Sequence, residues 1–229
     1  MFLLDVVRRN DARIVCEIGG GANPSIPIEF VRERGLDYLI VDISADELAK
    51  APAGYRTQAL DIAKPGAAPR ADCDLVFSKM LAEHVRDPVA FHDNCLRLLR
   101  PGGMALHFFP TLWAPPFALN LLLPERLGYW ILNRVQRGRD KSGNRAKFPA
   151  YYHWCRGPST GQLRRLESAG FEVVQYIGFF GHPGYYRKSA VLLRLHLILA
   201  SLFRTLRCPY FTSFAFVLLR RPADTSSSA

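Results

Sequence analysis

Ile14-Val15-Cys16-Glu17-Ile18-Gly19-Gly20-Gly21-Ala22-Asn23-Pro24 decides how the rest of the chain is read. A short apolar run carries an acid near its end, then breaks into three glycines and an Asn-Pro. This pattern predicts a buried strand running into a tight loop. Glycines there let the backbone turn sharply and approach a ligand that a Cβ would hold away. Taken alone, such a loop fits several nucleotide ligands and also a plain strand-to-helix turn. The residues that follow separate these readings.

Working outward, Tyr38 to Asp42 is a second apolar run closed by an acid, and Arg56 to Asp61 is a weaker third. Asp74 to Ser78 reads as strand four and Met104 to Phe109 as strand five. Phe171 to Ile177 and Phe211 to Arg220 read as strands six and seven. Short helices are expected over Ile28–Glu33 and over Ala45–Lys50, the second capped by Ser44. Longer ones are expected over His84–Leu99, Thr160–Ala169 and Tyr185–Arg207. Met1 to Arg9 can supply two helical turns at most. Strands alternating with helices predict an α/β, Rossmann-like three-layer sandwich. One domain spans 1–222, with 110–155 and 181–209 as insertions that form a substrate cap and 223–229 as a disordered tail.

In parallel α/β sheets, ligands sit at the carboxyl ends of the strands. Here four consecutive strands end on polar, ligand-capable residues: Glu17, Asp42, Asp61 and Ser78. A carboxylate ending strand two is placed to accept hydrogen bonds from ribose hydroxyls. Asp61 is placed to accept from an exocyclic amine such as adenine N6, with Ile43 and Ile62 as apolar walls for the base. In order, these residues point to an adenosine ligand. NAD is the competing cofactor, but its Gly-x-Gly-x-x-Gly fingerprint meets Pro24 where the third glycine belongs.

The ordered series Glu17-Ile18-Gly19-Gly20-Gly21, Asp42, Leu60-Asp61-Ile62, Asp74 to Ser78, Leu81-Ala82-Glu83-His84-Val85 and Leu99-Arg100-Pro101-Gly102-Gly103 resembles class I S-adenosylmethionine (SAM) dependent methyltransferases. The likeness is to the subgroup that includes the ubiquinone/menaquinone-type enzymes. It covers about residues 13–109 and, more weakly, 159–180. The resemblance implies a seven-stranded, mostly parallel sheet with an antiparallel last strand, and SAM as cofactor. It implies that Gly19, Gly20 and Gly21 approach the methionine part of SAM. Glu17 orients the loop or receives the SAM amine, and Asp42 binds the ribose. Asp61 and Ile62 meet the adenine, while Ser78, Lys79 and Met80 lie near the sulfonium. The sequence departs from the family at Asn23, where a glycine is usual; Asn tolerates a left-handed turn.

Methyl transfer to a hydroxyl benefits from a general base, and histidine suits neutral pH. His84, just past strand four, and His153, within Tyr151-Tyr152-His153-Trp154, are the candidates. Each has a structural alternative: His84 as a residue that fixes the loop, His153 as part of an aromatic cluster. His107 is expected in the core and His182 in a loop. Asn-Pro-Pro-Tyr, the signature for methylating base amines, is replaced after strand four by Ser78-Lys79-Met80-Leu81. No RNA-binding module is evident, so nucleic acid is not an expected partner. The acceptor is expected to be a small molecule, a glycan or a lipid-linked intermediate, methylated at oxygen first and at carbon or nitrogen second. A SAM-binding scaffold without transfer activity is the alternative from another class, and an RNA methyltransferase, which the basic second half allows, is a third.

Charge and cysteines bound the setting. Residues 1–125 carry 13 Lys/Arg against 16 Asp/Glu, and residues 126–229 carry 17 against 4. No acid occurs from Val173 to Pro222. A field concentrated in one half points to an anionic partner. Five scattered cysteines without Cys-x-x-Cys spacing predict reduced thiols and no metal site. The apolar start at Met1–Asp5 is too short for a signal peptide, so a cytoplasmic protein is expected. Residues 185–207 form an apolar, cationic, acid-free helical pattern. Three partners for it stay open: the domain itself, a second copy in a homodimer, or a membrane surface.

Overall fold

In a computed structural model, residues 2–68, 72–114, 118, 149–186 and 189–223 are described. The chain runs α1 (Phe2–Arg9), β1 (Ile14–Ile18), α2 (Ile28–Arg34), β2 (Asp37–Asp42), α3 (Ala45–Leu48) and β3 (Arg56–Ala59). It continues β4 (Cys73–Lys79), α4 (Pro88–Leu98), β5 (Leu99–Pro110), α5 (Thr160–Ser168), β6 (Glu172–Phe179), α6 (Ala190–Thr205) and β7 (Phe214–Arg220). Most of the expected 110–155 insertion and nearly all of the expected tail lie outside the described residues.

The strands form one sheet in the order β3-β2-β1-β4-β5-β7-β6. All neighbours from β3 to β5 are parallel. Strand β7 enters antiparallel between β5 and β6, as the resemblance implied. The chain winds one way from β1 to β3 and the other way from β4 to β5. The order therefore reverses between β1 and β4, and their carboxyl ends frame the crevice where such sheets bind ligands.

Side chains alternate across the sheet and feed two cores. On one face Cys16, Ile18, Val76, Ala105 and Val217 meet Phe91, Cys95 and Leu98 of α4 and Leu166 of α5. On the other, Val15, Ile40, Leu75, Phe77 and Leu106 meet Val6 and Val7 of α1, Phe30 of α2 and Leu48 of α3. Burying a side chain the size of Phe91 contributes about 2–3 kcal/mol.

Local chemistry sets the element ends. Gly35 takes φ 58° and stops α2 in a left-handed cap. The Ser44 hydroxyl accepts from the Glu47 N–H and starts α3. The Asp87 carboxylate accepts from the Val89 and Ala90 N–H groups, with Pro88 as first helical residue. That cap starts α4 later than the expected His84; Ala82–His84 form a separate 3-10 turn. Strand β5 starts earlier than expected because Leu99 pairs with Cys73, which draws Arg-Pro-Gly-Gly into the strand as an irregular step.

Candidate active site

The glycine loop is held from below by Glu17. Its carboxylate is buried and accepts from the Tyr38 hydroxyl and from the Ser25 N–H at 3.0 Å. Burial and the adjacent Glu17 charge push the Tyr38 hydroxyl far above its usual range, so it stays a donor. These contacts tie the Glu17 carboxylate to Ser25, just past the glycine loop, and to β2. Tyr38 is the partner that sequence reasoning missed. It lies on β2, two residues before Ile40, which pairs with Glu17, and only the β1–β2 register brings the two side chains together.

Gly19 and Gly21 adopt φ 79° and 44°, a region that penalises any Cβ. A Cβ on Gly19 would fall 2.7 Å from Leu81, and one on Gly20 would fall 2.8 Å from Ile40 and from the Glu17 carboxyl carbon. A Cβ on Gly21 would sit 3.2 Å from Asp42 Oδ2. The loop after β1 and the acid ending β2 therefore converge. Asn23 does not take the left-handed turn expected of it; the glycines carry both positive angles, and the Asn23 N–H donates to the Gly20 carbonyl at 2.9 Å.

Asp42 is half-buried, and its Oδ1 accepts from the Ser44 N–H at 2.9 Å. Ile43 beside it is 68% exposed, open enough to serve as an apolar wall. The Leu60 N–H donates to the Asp42 carbonyl, which sets Asp61 beside the end of β2. Ile62 differs from expectation. It is buried in the core, and its carbonyl accepts from Asn94 of α4, so its side chain serves packing rather than an open wall.

Past β4, the Ser78 hydroxyl pairs with His107 Nδ1 at 2.8 Å inside the core. His107 is buried, as expected, and burial holds it well below its usual pKa. Lys79 and Met80 are exposed, and Met80 has the left-handed φ of 54°. Ser78 and Lys79 line a cavity of about 650 Å³. Asp61 and His153 line a different one, of about 690 Å³, together with Arg86, Asp87 and Arg165. The two candidate histidines are thus differently placed. His153 is exposed and its ring stacks on Tyr151, centroids 5.8 Å apart, in the cavity it shares with Asp61.

His84 sits in the turn after β4, with Nδ1 2.7 Å from the Pro149 carbonyl. A carbonyl only accepts, so Nδ1 carries the proton and Nε2 is the basic nitrogen of the neutral ring. The Glu83 carbonyl accepts from both the Tyr151 and Tyr152 N–H groups, so the 149–154 segment is bound to this turn. Glu83 was not expected as a titrating group. Desolvation by burial pushes its carboxyl up to about 8. Its 3.7 Å approach to His84 Nε2 is then a neutral contact at pH 7 rather than an ion pair.

His182 lies in a loop, as expected, between β6 and the 3-10 turn Pro183–Tyr186. It is buried and ties the root of α6 to the sheet. Its Nδ1 meets the Ser213 hydroxyl at 2.7 Å, and its N–H donates to His196 Nε2 of α6 at 2.9 Å. Among the described residues no group of three His, Cys, Asp or Glu is placed to hold a metal ion, and no helix is long and apolar enough to cross a membrane.

A sheet in this order, with a glycine loop and an acid-ended β2 at its switch point, is a Rossmann-like arrangement closed by an antiparallel strand. Residues 17–107 match the family model described as methyltransferase domain. An uncharacterized methyltransferase of Mycobacterium sp. (strain KMS) is 34% identical over 107 residues, which are 46% of this chain and 41% of that protein. The chain therefore spans about two fifths of the length of the curated relatives it matches. Among solved structures, a SAM-dependent methyltransferase from Mesorhizobium loti aligns with TM-score 0.52 at 20% identity, over 92% of this chain and 91% of its own. Geranyl diphosphate C-methyltransferase from Streptomyces coelicolor A3(2), solved with Mg2+, geranyl diphosphate and S-adenosylhomocysteine, aligns with TM-score 0.55 at 12% identity, over 91% and 72%. Residues 17–107 thus resemble a methyltransferase domain, and the fold is that of the solved SAM-dependent methyltransferases with which the chain aligns.

Proposed function

We propose that the chain transfers a methyl group from SAM to a small-molecule acceptor, with oxygen as the receiving atom. The observation that carries the reading is the convergence at the switch point. Two left-handed glycines leave space beside Asp42 that a single Cβ would crowd. The residues present fit SAM: a Cβ-free loop for the methionine part, Asp42 for the ribose hydroxyls, and Asp61 with exposed Ile43 at the base. Bound there, SAM supplies an electrophilic methyl group on a sulfonium.

The protein's own part is alignment and proton management. Glu17 and Tyr38 fix the loop, and Ser25 is fastened through Glu17. His84 is the stronger base candidate, because the Pro149 carbonyl fixes the tautomer with a basic Nε2. It would take the hydroxyl proton as the oxygen–methyl bond forms. His153 shares its cavity with Asp61, which this reading gives to the adenine end, so it is the weaker candidate. The cap formed by 110–155 and 181–209 belongs to the same proposal.

The test is a turnover assay with labelled SAM and a panel of phenols, prenols and sugars. Acceptor-dependent release of S-adenosylhomocysteine is the expected result. Binding of S-adenosylhomocysteine without product from any acceptor would favour a SAM-binding scaffold instead.

One observation favours an acceptor presented at a membrane surface. On α6, Val191, Leu195, Ile198, Leu199 and Leu202 form one stripe and all are exposed. His196, which contacts His182, lies off that stripe. Arg194 and Arg204 lie on the helix, Arg207 follows its end, and no acid occurs from 173 to 222. An apolar stripe with cationic flanks fits the boundary of an anionic bilayer. The small-molecule geranyl diphosphate of the Streptomyces neighbour is in keeping with an apolar, anionic acceptor.

A further inference from the structure

The cavity of about 650 Å³ beside Lys79 lies on the α1 face of the sheet, across from α4 and α5. It touches the cofactor cradle at two points, Ser25 after the glycine loop and Ser78-Lys79 after β4. From there it extends over β5, β7 and β6, where Phe108, Phe216, Ile177 and Phe179 form its floor. Phe2 of α1 closes one side, its ring 4.5 Å from that of Phe216. Phe179 lies 5.8 Å from Phe216 and 6.5 Å from Phe108, so the aromatic wall is already assembled. A cavity of this size with few polar groups suits an organic molecule of several rings or an extended hydrocarbon.

Its charge is equally plain. Among the described residues that line it, Lys79 is the only one with an ionisable side chain. Gln175 and Ser25 supply the other polar side chains, since the Ser78 hydroxyl is taken by His107 on the opposite face. A cation inside would face Lys79 with no carboxylate to offset it, whereas an anion gains a partner.

We infer that this cavity holds the methyl acceptor, an apolar aromatic or polyene body with an anionic or hydroxyl-bearing end directed at Lys79. The inference rests on the methyltransferase reading. It moves Lys79 from the cofactor to the acceptor and takes the base role from His84, which is not among the residues that line the cavity. It also places the acceptor's reactive end beside Ser78 and its apolar body along β5, β7 and β6.

The experiment titrates 2-naphthoate, 2-naphthol and 2-naphthylmethylamine by fluorescence, and S-adenosylhomocysteine by calorimetry, on the full chain. Naphthoate should bind best and the amine worst. Phe179→Ala and Gln175→Trp change exposed positions of β6, the first removing wall and the second filling the cavity. Each should weaken naphthoate about tenfold or more while S-adenosylhomocysteine affinity stays within about twofold. Lys79→Met should erase the preference for naphthoate over naphthol. A Glu167→Gln variant of α5, exposed on the other face of the sheet, should bind naphthoate like the parent. Unchanged naphthoate affinity in both β6 variants, or an equal loss in the α5 variant, would overturn the assignment. Failure of the parent to bind S-adenosylhomocysteine would instead count against the cofactor reading, whatever naphthoate does.

Discussion

At the residue scale, the glycine loop is where a single methyl group has consequences. Gly21→Ala forces a left-handed Cβ to 3.2 Å from the Asp42 carboxylate. The backbone cost is on the order of 1 kcal/mol. S-adenosylhomocysteine affinity should fall about tenfold, because Asp42, the proposed ribose ligand, is pushed away from its hydroxyls. Calorimetry reads this, and equal affinity would separate Gly21 from the cofactor. Glu83 gives a pH signature. Burial raises its folded pKa to about 8, above its unfolded value. The stability tied to its neutral form is therefore complete at acidic pH and is lost as pH rises through about 8. Glu83→Gln should match the parent near pH 4 and exceed it in urea denaturation near pH 8 by on the order of 2 kcal/mol. Parallel profiles would contradict that account. Gly19, Gly21, Asp42 and Asp61 could be picked from the chain because strand ends advertise themselves as apolar runs that stop. The Tyr38–Glu17 contact could not, since it depends on strand pairing. Ile62 was misplaced because one residue's step beyond β3 decides whether a side chain faces the ligand or α4.

At the element scale, α6 is the least conventional part. The sequence displayed an apolar, cationic helix but left its partner open. The structure turns His196 toward His182 and leaves the apolar stripe exposed among the described residues. Flotation with anionic vesicles should recover the protein at low salt, and recovery should drop as salt screens the arginines. Leu195→Asp/Leu202→Asp should abolish flotation and leave the melting temperature close to the parent's, because those positions bury little. Flotation unaffected by the double change would remove α6 from the membrane contact. The strands were legible in number and order along the chain. Their ends were less so: β5 gains Leu99 through pairing with Cys73, and Phe211, expected as the first residue of β7, ends a 3-10 turn instead, so that β7 starts at Phe214. Pairing partners, which the local pattern does not encode, set both boundaries.

At the scale of the whole molecule, the sheet order carries the account. Winding outward in both directions from β1 and β4 creates one crevice, and the glycine loop and Asp42 converge at it with Asp61 beside the end of β2, whereas Ser78 turns its hydroxyl onto His107 in the core. The loop and the two acids were readable from spacing. The division of the surroundings into an Asp61–His153 cavity on one side and a Lys79 cavity on the other was not, because it depends on which sheet face each side chain takes. The central claim is that the crevice holds SAM with Asp42 on its ribose, and isothermal calorimetry of S-adenosylhomocysteine on the parent and on Asp42→Ala tests it most directly. The account predicts saturable binding to the parent and affinity at least about tenfold weaker in the variant. Equal affinity in the two, or no binding to the parent, would contradict it.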